Sequence, residues 1–249
     1  MIGIVGFGKL GSAFAKGFSN SGLEVLVYTL NKKKLENESV QIAESIQELT
    51  QRCQIIFLGL KPDVLINELK QNSEFLKEKI LVSPAASLLL SEMESVFPDI
   101  KVIRIMPNIG ASLNHTPIPY VLGKNISKED ENFFLEIFSR VGVTTKVEEK
   151  QMPIISAIAG SSPAYFAYFA QAMYDAAKEA GLNPETAKIL LAQSLSGTGA
   201  LLSHFSAQDI MEKVTTKGGL TEKGIKELDS AGVYLAIKHA VQFQSKDSS

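Results

Sequence analysis

The sequence predicts an α/β domain over residues 1–150, followed by an all-helical domain over residues 151–249. Three observations support this division. Short, continuously apolar runs alternate with polar, helix-like stretches up to residue 147, which is typical of a parallel sheet covered on both faces. The charged run Glu148-Glu149-Lys150 interrupts that pattern. Beyond it the chain offers helix start and stop signals but no further strand-like run.

The predicted strands and helices follow one another in a regular order. In the second half, Ser162-Pro163 supplies an N-cap with a first-turn proline, Gly181 a stop signal, and Asn183-Pro184 a second start. A third long helix is expected from about residue 221 to 243. In the first half, apolar runs predict strands at residues 2–5, 24–29, 40–42, 55–60, 80–82 and 102–106, and two edge strands at 120–122 and 144–147 flank a helix at 128–140.

The composition excludes several classes of protein. The 249 residues are 45% hydrophobic and 21% charged, which is the balance of a folded chain. Twenty-five Lys and Arg against 27 Asp and Glu leave a net charge of −2, which argues against a nucleic-acid partner. The single cysteine, Cys53, excludes an internal disulfide and a thiolate metal cluster. His115, His204 and His239 lack metal-ligand spacing, so no metal is expected.

The N-terminal stretch does not have the pattern of a signal peptide. Its first basic residue is Lys9, in the middle of the apolar run, and four glycines among the first eleven residues would break a signal helix. No membrane partner is expected either, because Gln171 and Asp175 interrupt the apolar stretch 164–177. We therefore expect the protein in the cytoplasm.

A glycine-rich turn follows the first predicted strand. Residues Gly6-Phe7-Gly8-Lys9-Leu10-Gly11 fit the G-x-G-x-x-G pattern and lead into a helix. The first glycine permits a tight turn, the second lets the backbone approach a diphosphate, and the third lets helix and strand pack closely. Free N–H groups at the helix N-terminus would bind the diphosphate. The pattern predicts a Rossmann-like dinucleotide-binding domain; the alternative is a purely structural turn.

The residues after the second strand favour one dinucleotide. An NAD site usually places Asp or Glu there to bind the ribose 2′-hydroxyl. This chain instead has Thr29-Leu30-Asn31, followed by three lysines that begin at Lys32. We therefore expect NADP(H) in preference to NAD(H), with Thr29, Asn31 and Lys32 at the cofactor, although a solvated helix start also explains the lysines. Lys61, at the end of the fourth strand, faces either the cofactor or water.

Four further stretches belong together. They are Gly59-Leu60-Lys61-Pro62, Val102-Ile103-Arg104-Ile105-Met106-Pro107-Asn108, Ala159-Gly160-Ser161-Ser162-Pro163-Ala164-Tyr165 and Val214-Thr215-Thr216-Lys217-Gly218-Gly219-Leu220-Thr221. With the glycine-rich turn, they resemble motifs of the pyrroline-5-carboxylate reductases. The motifs occur in the same order as in that family, and the resemblance covers essentially the whole chain.

The resemblance implies an oxidoreductase that reduces the cyclic imine 1-pyrroline-5-carboxylate to L-proline with NAD(P)H, the last step of proline biosynthesis. It also implies a helical C-terminal domain that interlocks with a second subunit, an active site at that dimer interface, and a homodimer or a larger assembly of dimers. The cofactor residues that it adds are Gly59, Leu60, Lys61 and Pro62, then Ala85 and Ala86 near the nicotinamide, and Met106, Pro107 and Asn108.

By the same resemblance, the loop before the last predicted helix binds the substrate. Backbone N–H groups of its double glycine can converge on a carboxylate. Thr221 can hydrogen-bond the ring nitrogen as its charge changes, which gives this residue the catalytic role. An iminium brings its own proton, so no further acid is needed. From spacing alone, an ordinary loop is equally compatible. The predicted substrate residues are Thr216, Lys217, Gly218, Gly219, Leu220 and Thr221.

Departures from the family pattern lie close to this predicted site. Lys217 stands where the family has proline, Leu220 replaces a threonine, and Ile109-Gly110 replaces Thr-Pro. Two other functions therefore stay open. One is an NADP-dependent reductase of another cyclic imine or of a keto acid, and the other is a non-catalytic cofactor-binding paralogue.

Overall fold

The structure is a computed structural model that describes residues 1–35 and 40–247. The chain divides into two compact units. The first comprises Met1–Pro163 and the C-terminal residues from Gln244, and the second comprises Ala164–Phe243. The domain boundary at residue 150 stays a prediction.

One eight-stranded sheet forms the centre of the first unit. Its strands are β1 Ile2–Val5, β2 Val25–Tyr28, β3 Gln41–Ile42, β4 Ile55–Leu58, β5 Ile80–Ser83, β6 Lys101–Ile105, β7 Thr116–Leu122 and β8 Gly142–Lys146. They lie in the order β3-β2-β1-β4-β5-β6-β7-β8. The order reverses between β1 and β4, and the carboxyl ends of parallel strands open a crevice at such a switch point.

Helices cover both faces of this sheet. In the first unit they are α1 Lys9–Asn20, α2 Ile46–Arg52, α3 Pro62–Gln71, α4 Ser73–Leu76, α5 Leu90–Val96, α6 Lys128–Phe138 and α7 Met152–Ile155. Successive side chains of a strand point to opposite faces. Phe57 of β4 accordingly packs with phenylalanines of α1 and α6, whereas its neighbour Leu58 packs with leucines of α2 and α3. This arrangement confirms the predicted α/β class.

The sheet has one antiparallel pair, β6 with β7, among otherwise parallel neighbours. The residues that join these strands form only a short 3₁₀ turn, Ile109–Leu113. A parallel return needs a crossover of roughly a dozen or more residues, so this short connection reverses the chain direction. β8 then runs parallel to β7, with α6 as their crossover helix.

The second unit is built from helices alone, in residues 164–243, all of which the structure describes. The prediction of one long helix over 221–243 is wrong. Gly232, with a φ of +72°, follows the end of the helix Leu220–Ser230 and permits the left-handed turn that ends helices. The helix Ala207–Val214 was not predicted. The helices are α8 Ser162–Glu179, which begins in the first unit, α9 Pro184–Leu202, α10 Ala207–Val214, α11 Leu220–Ser230 and α12 Val233–Asp247.

Burial differs sharply within the chain. Ala187 is the one buried residue among 164–243. Large apolar side chains of this unit, such as Tyr168 and Ile189, are exposed. None of the helices in the described part of the chain is long and apolar enough to span a membrane.

Candidate active site

The glycine-rich turn lies where β1 ends, between β2 and β4. The Gly6 N–H donates to the Tyr28 carbonyl oxygen (2.8 Å), and the Gly59 N–H donates to that of Val5 (2.8 Å), so the backbone ties the turn to both neighbouring strands. Gly6 has a φ of +93°, in the left-handed region that favours glycine. A Cβ on Gly11 would lie 2.2 Å from the Gly6 carbonyl oxygen. The turn itself therefore requires both glycines.

Gly8 has a different part in this turn. Its φ of −82° suits any residue, and an added Cβ would meet only the Gly59 carbonyl oxygen, at 3.8 Å. Gly8 is also the N-cap of α1, and no side chain in the described part of the chain caps that helix. Free N–H groups beside a residue without a side chain fit a diphosphate.

A cavity of about 260 Å³ opens at this turn. The predicted cofactor residues that line it are Gly6, Phe7, Gly8, Thr29, Asn31, Gly59, Leu60 and Lys61. Its other lining residues are Val5, Tyr28, Leu30, Val64 and Glu68. The ends of β1, β2 and β4 and the first turns of α3 thus converge on one space, at the crevice where such sheets bind ligands.

The remaining residues of the glycine-rich turn and its neighbours do not line this cavity. Lys9 and Leu10 belong to the first turn of α1. Pro62 takes the first position of α3, where a missing N–H is tolerated. The Lys32 ammonium is paired with the Glu44 carboxylate.

The loops after β5 and β6 are held by hydrogen bonds within the first unit. Ala85 is buried, and its N–H donates to the Ser83 hydroxyl (3.4 Å). Ala86 is exposed, and its carbonyl oxygen accepts from Arg104 Nη2 (2.6 Å). Met106 is buried as well, and its N–H donates to the carbonyl oxygen of Pro119 (3.0 Å).

The Asn108 amide is already engaged by the chain. Its Oδ1 accepts from the Gly110 N–H and its Nδ2 donates to the Ala159 carbonyl oxygen, both at 2.8 Å. Ala159 lies in a π-helical turn, Ser156–Gly160, directly before α8, so the Asn108 amide fixes the loop after β6 to the start of that helix. The buried Pro107 precedes Asn108.

The predicted substrate loop lies in the second unit, between α10 and α11. Gly218 has a φ of +75°. Its N–H donates to Glu222 Oε2 (2.5 Å), and the Gly219 N–H donates to the Thr216 carbonyl oxygen (2.9 Å). Both backbone donors of the double glycine are therefore engaged within the chain. Lys226 holds the same Glu222 carboxylate (2.7 Å).

The side chains of this loop are open to solvent. Thr216, Lys217 and Thr221 are exposed, and Leu220 is 87% exposed. Hydrogen bonds from Lys226 and from the Gly218 N–H lower the pKa of the Glu222 carboxyl. A carboxylate is thus the preferred form of Glu222 against the loop backbone.

Comparison with known proteins matches the whole chain. The pyrroline-5-carboxylate reductase of Methanosarcina acetivorans is 31% identical over 252 residues, which cover 96% of this chain and 93% of that protein. The chain belongs to the pyrroline-5-carboxylate reductase family. Pyrroline-5-carboxylate reductase 2 of Bacillus subtilis is 29% identical, over 99% of this chain and 93% of that one.

Two family models match separate parts of the chain, and a solved structure matches nearly all of it. The model for pyrroline-5-carboxylate reductase dimerisation matches residues 149–249, and the one for NADP oxidoreductase, coenzyme F420-dependent, matches residues 1–87. The crystal structure of the Plasmodium falciparum pyrroline carboxylate reductase, with NADP bound, has a TM-score of 0.90 at 28% identity and covers 99% of this chain and 96% of that one. The predicted resemblance and the Rossmann-like fold are confirmed.

Sequence reasoning missed two side chains at the dinucleotide cavity and one at the 216–221 loop. Val64 and Glu68 line the dinucleotide cavity, one helical turn apart on α3. The helix start at Pro62 and the i, i+4 spacing could have indicated them. Glu222 is the third residue of α11, a position from which acidic side chains commonly reach back to the backbone.

Proposed function

We propose that this protein reduces 1-pyrroline-5-carboxylate to L-proline, with NADPH as the hydride donor. The observation that carries the proposal is the full-length match to pyrroline-5-carboxylate reductases, which retains both the dinucleotide domain and the dimerisation domain. The bound cofactor supplies the hydride, and the chain binds and orients the reactants.

We propose NADPH as the preferred cofactor. The Plasmodium falciparum relative was solved with NADP bound, and residues 29–35 of this chain contain no carboxylate that would repel a 2′-phosphate. Lys32 is held by Glu44, but both side chains are at least half exposed, and such surface pairs contribute little. A doubly charged phosphate can displace that carboxylate, and NADH remains a weaker substitute.

We assign the first-unit residues as follows. The uncapped N-terminus of α1 and Gly8 bind the diphosphate. The cavity walls formed by Thr29, Asn31 and the 59–61 segment hold the adenosine half, and Val64 and Glu68 line the same cavity. The loops that carry Ala85, Ala86 and the 106–108 segment lie beside the nicotinamide in this proposal.

We assign substrate binding to the 216–221 loop. Thr216 and the free N–H groups of Leu220 and Thr221 at the start of α11 hold the substrate carboxylate, since no side chain caps this helix among the described residues. The Thr221 hydroxyl oxygen accepts a hydrogen bond from the N–H of the substrate iminium. Hydride adds to the C=N carbon, and the iminium proton stays on nitrogen, so the chain moves no proton.

A second candidate function keeps hydride transfer from NADPH and changes the substrate. Lys217, Leu220 and Glu222 alter the charge and shape of the loop that this proposal gives to the substrate. The same backbone N–H groups could bind the carboxylate of a larger cyclic imino acid or of a keto acid, while these different side chains contact the rest of the molecule.

We also propose a homodimer. The apolar side chains exposed on α8, α9 and α12 are too many for a lone subunit in water, and a family model for dimerisation covers them. Larger assemblies of dimers and the cytoplasmic location stay predictions.

A substrate panel tests the reaction and its alternatives together. Purified protein is assayed for NADPH and NADH oxidation with 1-pyrroline-5-carboxylate, a six-membered cyclic imino acid and several keto acids. The proposal predicts the highest kcat/KM for pyrroline-5-carboxylate with NADPH. A higher value for another imine would keep the site and change the substrate, and NADPH binding without turnover of any of them would favour a non-catalytic paralogue.

A further inference from the structure

A buried arginine lies near the carboxyl end of the sheet, and no role assigned above uses it. Arg104 of β6 stands opposite Ser83, the last residue of β5, and its side chain is only 3% exposed. Its Nη2 donates to the Ala86 carbonyl oxygen (2.6 Å), and its Nη1 donates to the Glu149 carboxylate. Its Nε is buried without a partner among the described residues.

The same carboxylate reaches the β5–α5 loop at its far end. Glu149 Oε1 also accepts a hydrogen bond from the N–H of Leu90 (3.1 Å), the first residue of α5. Residues 84–89 are therefore fixed from two sides, at Ala86 by the guanidinium and at Leu90 by the carboxylate that the guanidinium holds. This loop carries Ala85 and Ala86, which the proposed function places beside the nicotinamide.

Fold stability does not by itself explain such a pair. Removing a guanidinium from water is unfavourable, and apolar residues of similar volume often stabilise a protein as well as a buried ion pair does. What Arg104 adds is geometry. A planar guanidinium donates in fixed directions, so it can hold a carbonyl oxygen and a carboxylate at once, whereas the single ammonium of lysine cannot reproduce that fork.

We propose that Arg104 is a positioning residue for hydride transfer. It acts through the Ala86 carbonyl and Glu149 to hold the β5–α5 loop in the conformation that the nicotinamide half of the cofactor requires. This inference rests on the proposed function for the identity of the cofactor. It assigns no contact between Arg104 and either reactant.

Two ligands separate positioning from folding. NADPH occupies both halves of the dinucleotide site, whereas adenosine 2′,5′-bisphosphate occupies the adenosine half alone. Full-length Arg104→Met should bind this fragment like the parent but bind NADPH more weakly. Its kcat should fall by about tenfold to a hundredfold, because a small misplacement of reacting groups has effects of that size. Arg104→Lys should lie between Arg104→Met and the parent.

The matched control lies on the same strand. Lys101 of β6 pairs with Asp130 (3.3 Å) at the other end of that strand, away from the loop. Lys101→Met also removes one cation from a partly buried pair. It should change the thermal midpoint only, and leave both affinities, kcat and KM at the parent values.

Three results would overturn the inference. They are parent-like kcat and KM in both Arg104 variants, an equal loss of affinity for the fragment and for NADPH, and a fall in kcat for Lys101→Met as large as that for Arg104→Met. Should Arg104→Met fail to fold, Arg104→Lys decides by the same criteria. The ratio of the two affinities needs no substrate, so it tests Arg104 even if the parent does not reduce pyrroline-5-carboxylate, a result that would instead contradict the proposed function.

Discussion

The sheet of the first unit is covered by its own helices, whereas the helices of the second unit leave most of their apolar side chains in water. Every residue of β1, β4 and β5 is buried. In the second unit, residues 164–243, Ala187 alone is buried. Helix α9 carries apolar residues around its whole circumference. A helix that is apolar on all sides is normally buried. The first unit can therefore fold around its own core, whereas the apolar surface of the second unit is what the proposed second subunit would cover.

The largest effect is expected from a charge placed among the exposed apolar side chains of the second unit. Ile189 of α9 is 66% exposed in the single chain. Ile189→Glu should break the assembly into 27.0 kDa subunits, because an unpaired carboxylate buried at an interface costs roughly several kcal/mol. Light scattering at micromolar concentration measures the mass.

Val143→Glu is the control for this charge. Val143 of β8 is 74% exposed but belongs to the first unit, so its variant should keep the parent mass. A monomeric parent, or dissociation of both variants to the same extent, would contradict the assignment of the subunit interface to the second unit.

The next effect concerns two glycines of one turn. Gly11→Ala should unfold or strongly destabilise the first unit, since its Cβ would lie 2.2 Å from a backbone oxygen. Gly8→Ala should keep the parent thermal midpoint and lose about tenfold in NADPH affinity, because the added methyl group would hold the diphosphate away from the N–H groups of α1, at a cost comparable to one hydrogen bond to a charged group. Fluorescence titration and thermal unfolding measure the two quantities, and parent-like NADPH binding by Gly8→Ala would contradict the diphosphate assignment.

A loop of the second unit should affect activity alone. Thr221→Ala removes a hydrogen bond to a group whose charge changes, so kcat/KM should fall by about tenfold to a hundredfold with NADPH binding unchanged. Thr216→Ala should act mainly on KM, because a carboxylate is held equally in ground state and transition state. Thr198→Ala is the control, since the Thr198 hydroxyl donates to the Ser194 carbonyl oxygen of its own helix. Parent-like rates for Thr221→Ala would show that the site assignment is wrong.

The smallest effect concerns acid stability of the first unit. Glu131 is buried, and hydrogen bonds from Lys128, Lys146 and Tyr120 lower its pKa from 4.5 to about 2. Burial and the contact with Glu131 raise the pKa of Tyr120 to about 12. Since the folded state lowers the pKa of Glu131, its stabilising contribution is complete above about pH 4.5 and is lost as pH falls towards 2.

Glu131→Gln should therefore be less stable than the parent at pH 7, with a difference that shrinks between pH 4.5 and pH 2. Urea unfolding across this range measures it. Glu136→Gln, on an exposed position of the same helix, should match the parent throughout. A difference between parent and Glu131→Gln that does not depend on pH would contradict the pKa assignment.

Local signals in the sequence carried much of the fold and the dinucleotide turn. The glycines at 6, 8 and 11 were predictable because the tight turn, the approach of the diphosphate and the packing of helix on strand all arise within one strand–turn–helix unit. The antiparallel direction of β7 was not predictable in this way, since a strand's direction depends on the length of the connection to its neighbour in the sheet. Arg104 and Glu149 lie 45 residues apart, and only the folded sheet brings them together. The loop at 216–221 could be named from the family pattern, and its contact with Glu222 was missed although an acid at the third position of a helix commonly reaches back to the backbone.

The most direct test of the account is the stoichiometry of one reaction. The purified parent is mixed with 1-pyrroline-5-carboxylate and excess NADPH, and the L-proline formed and the NADPH consumed are both quantified. The account predicts one L-proline for each NADPH, from the parent but not from a Gly11→Ala control. NADPH consumption without L-proline, or L-proline in the absence of NADPH, would contradict it.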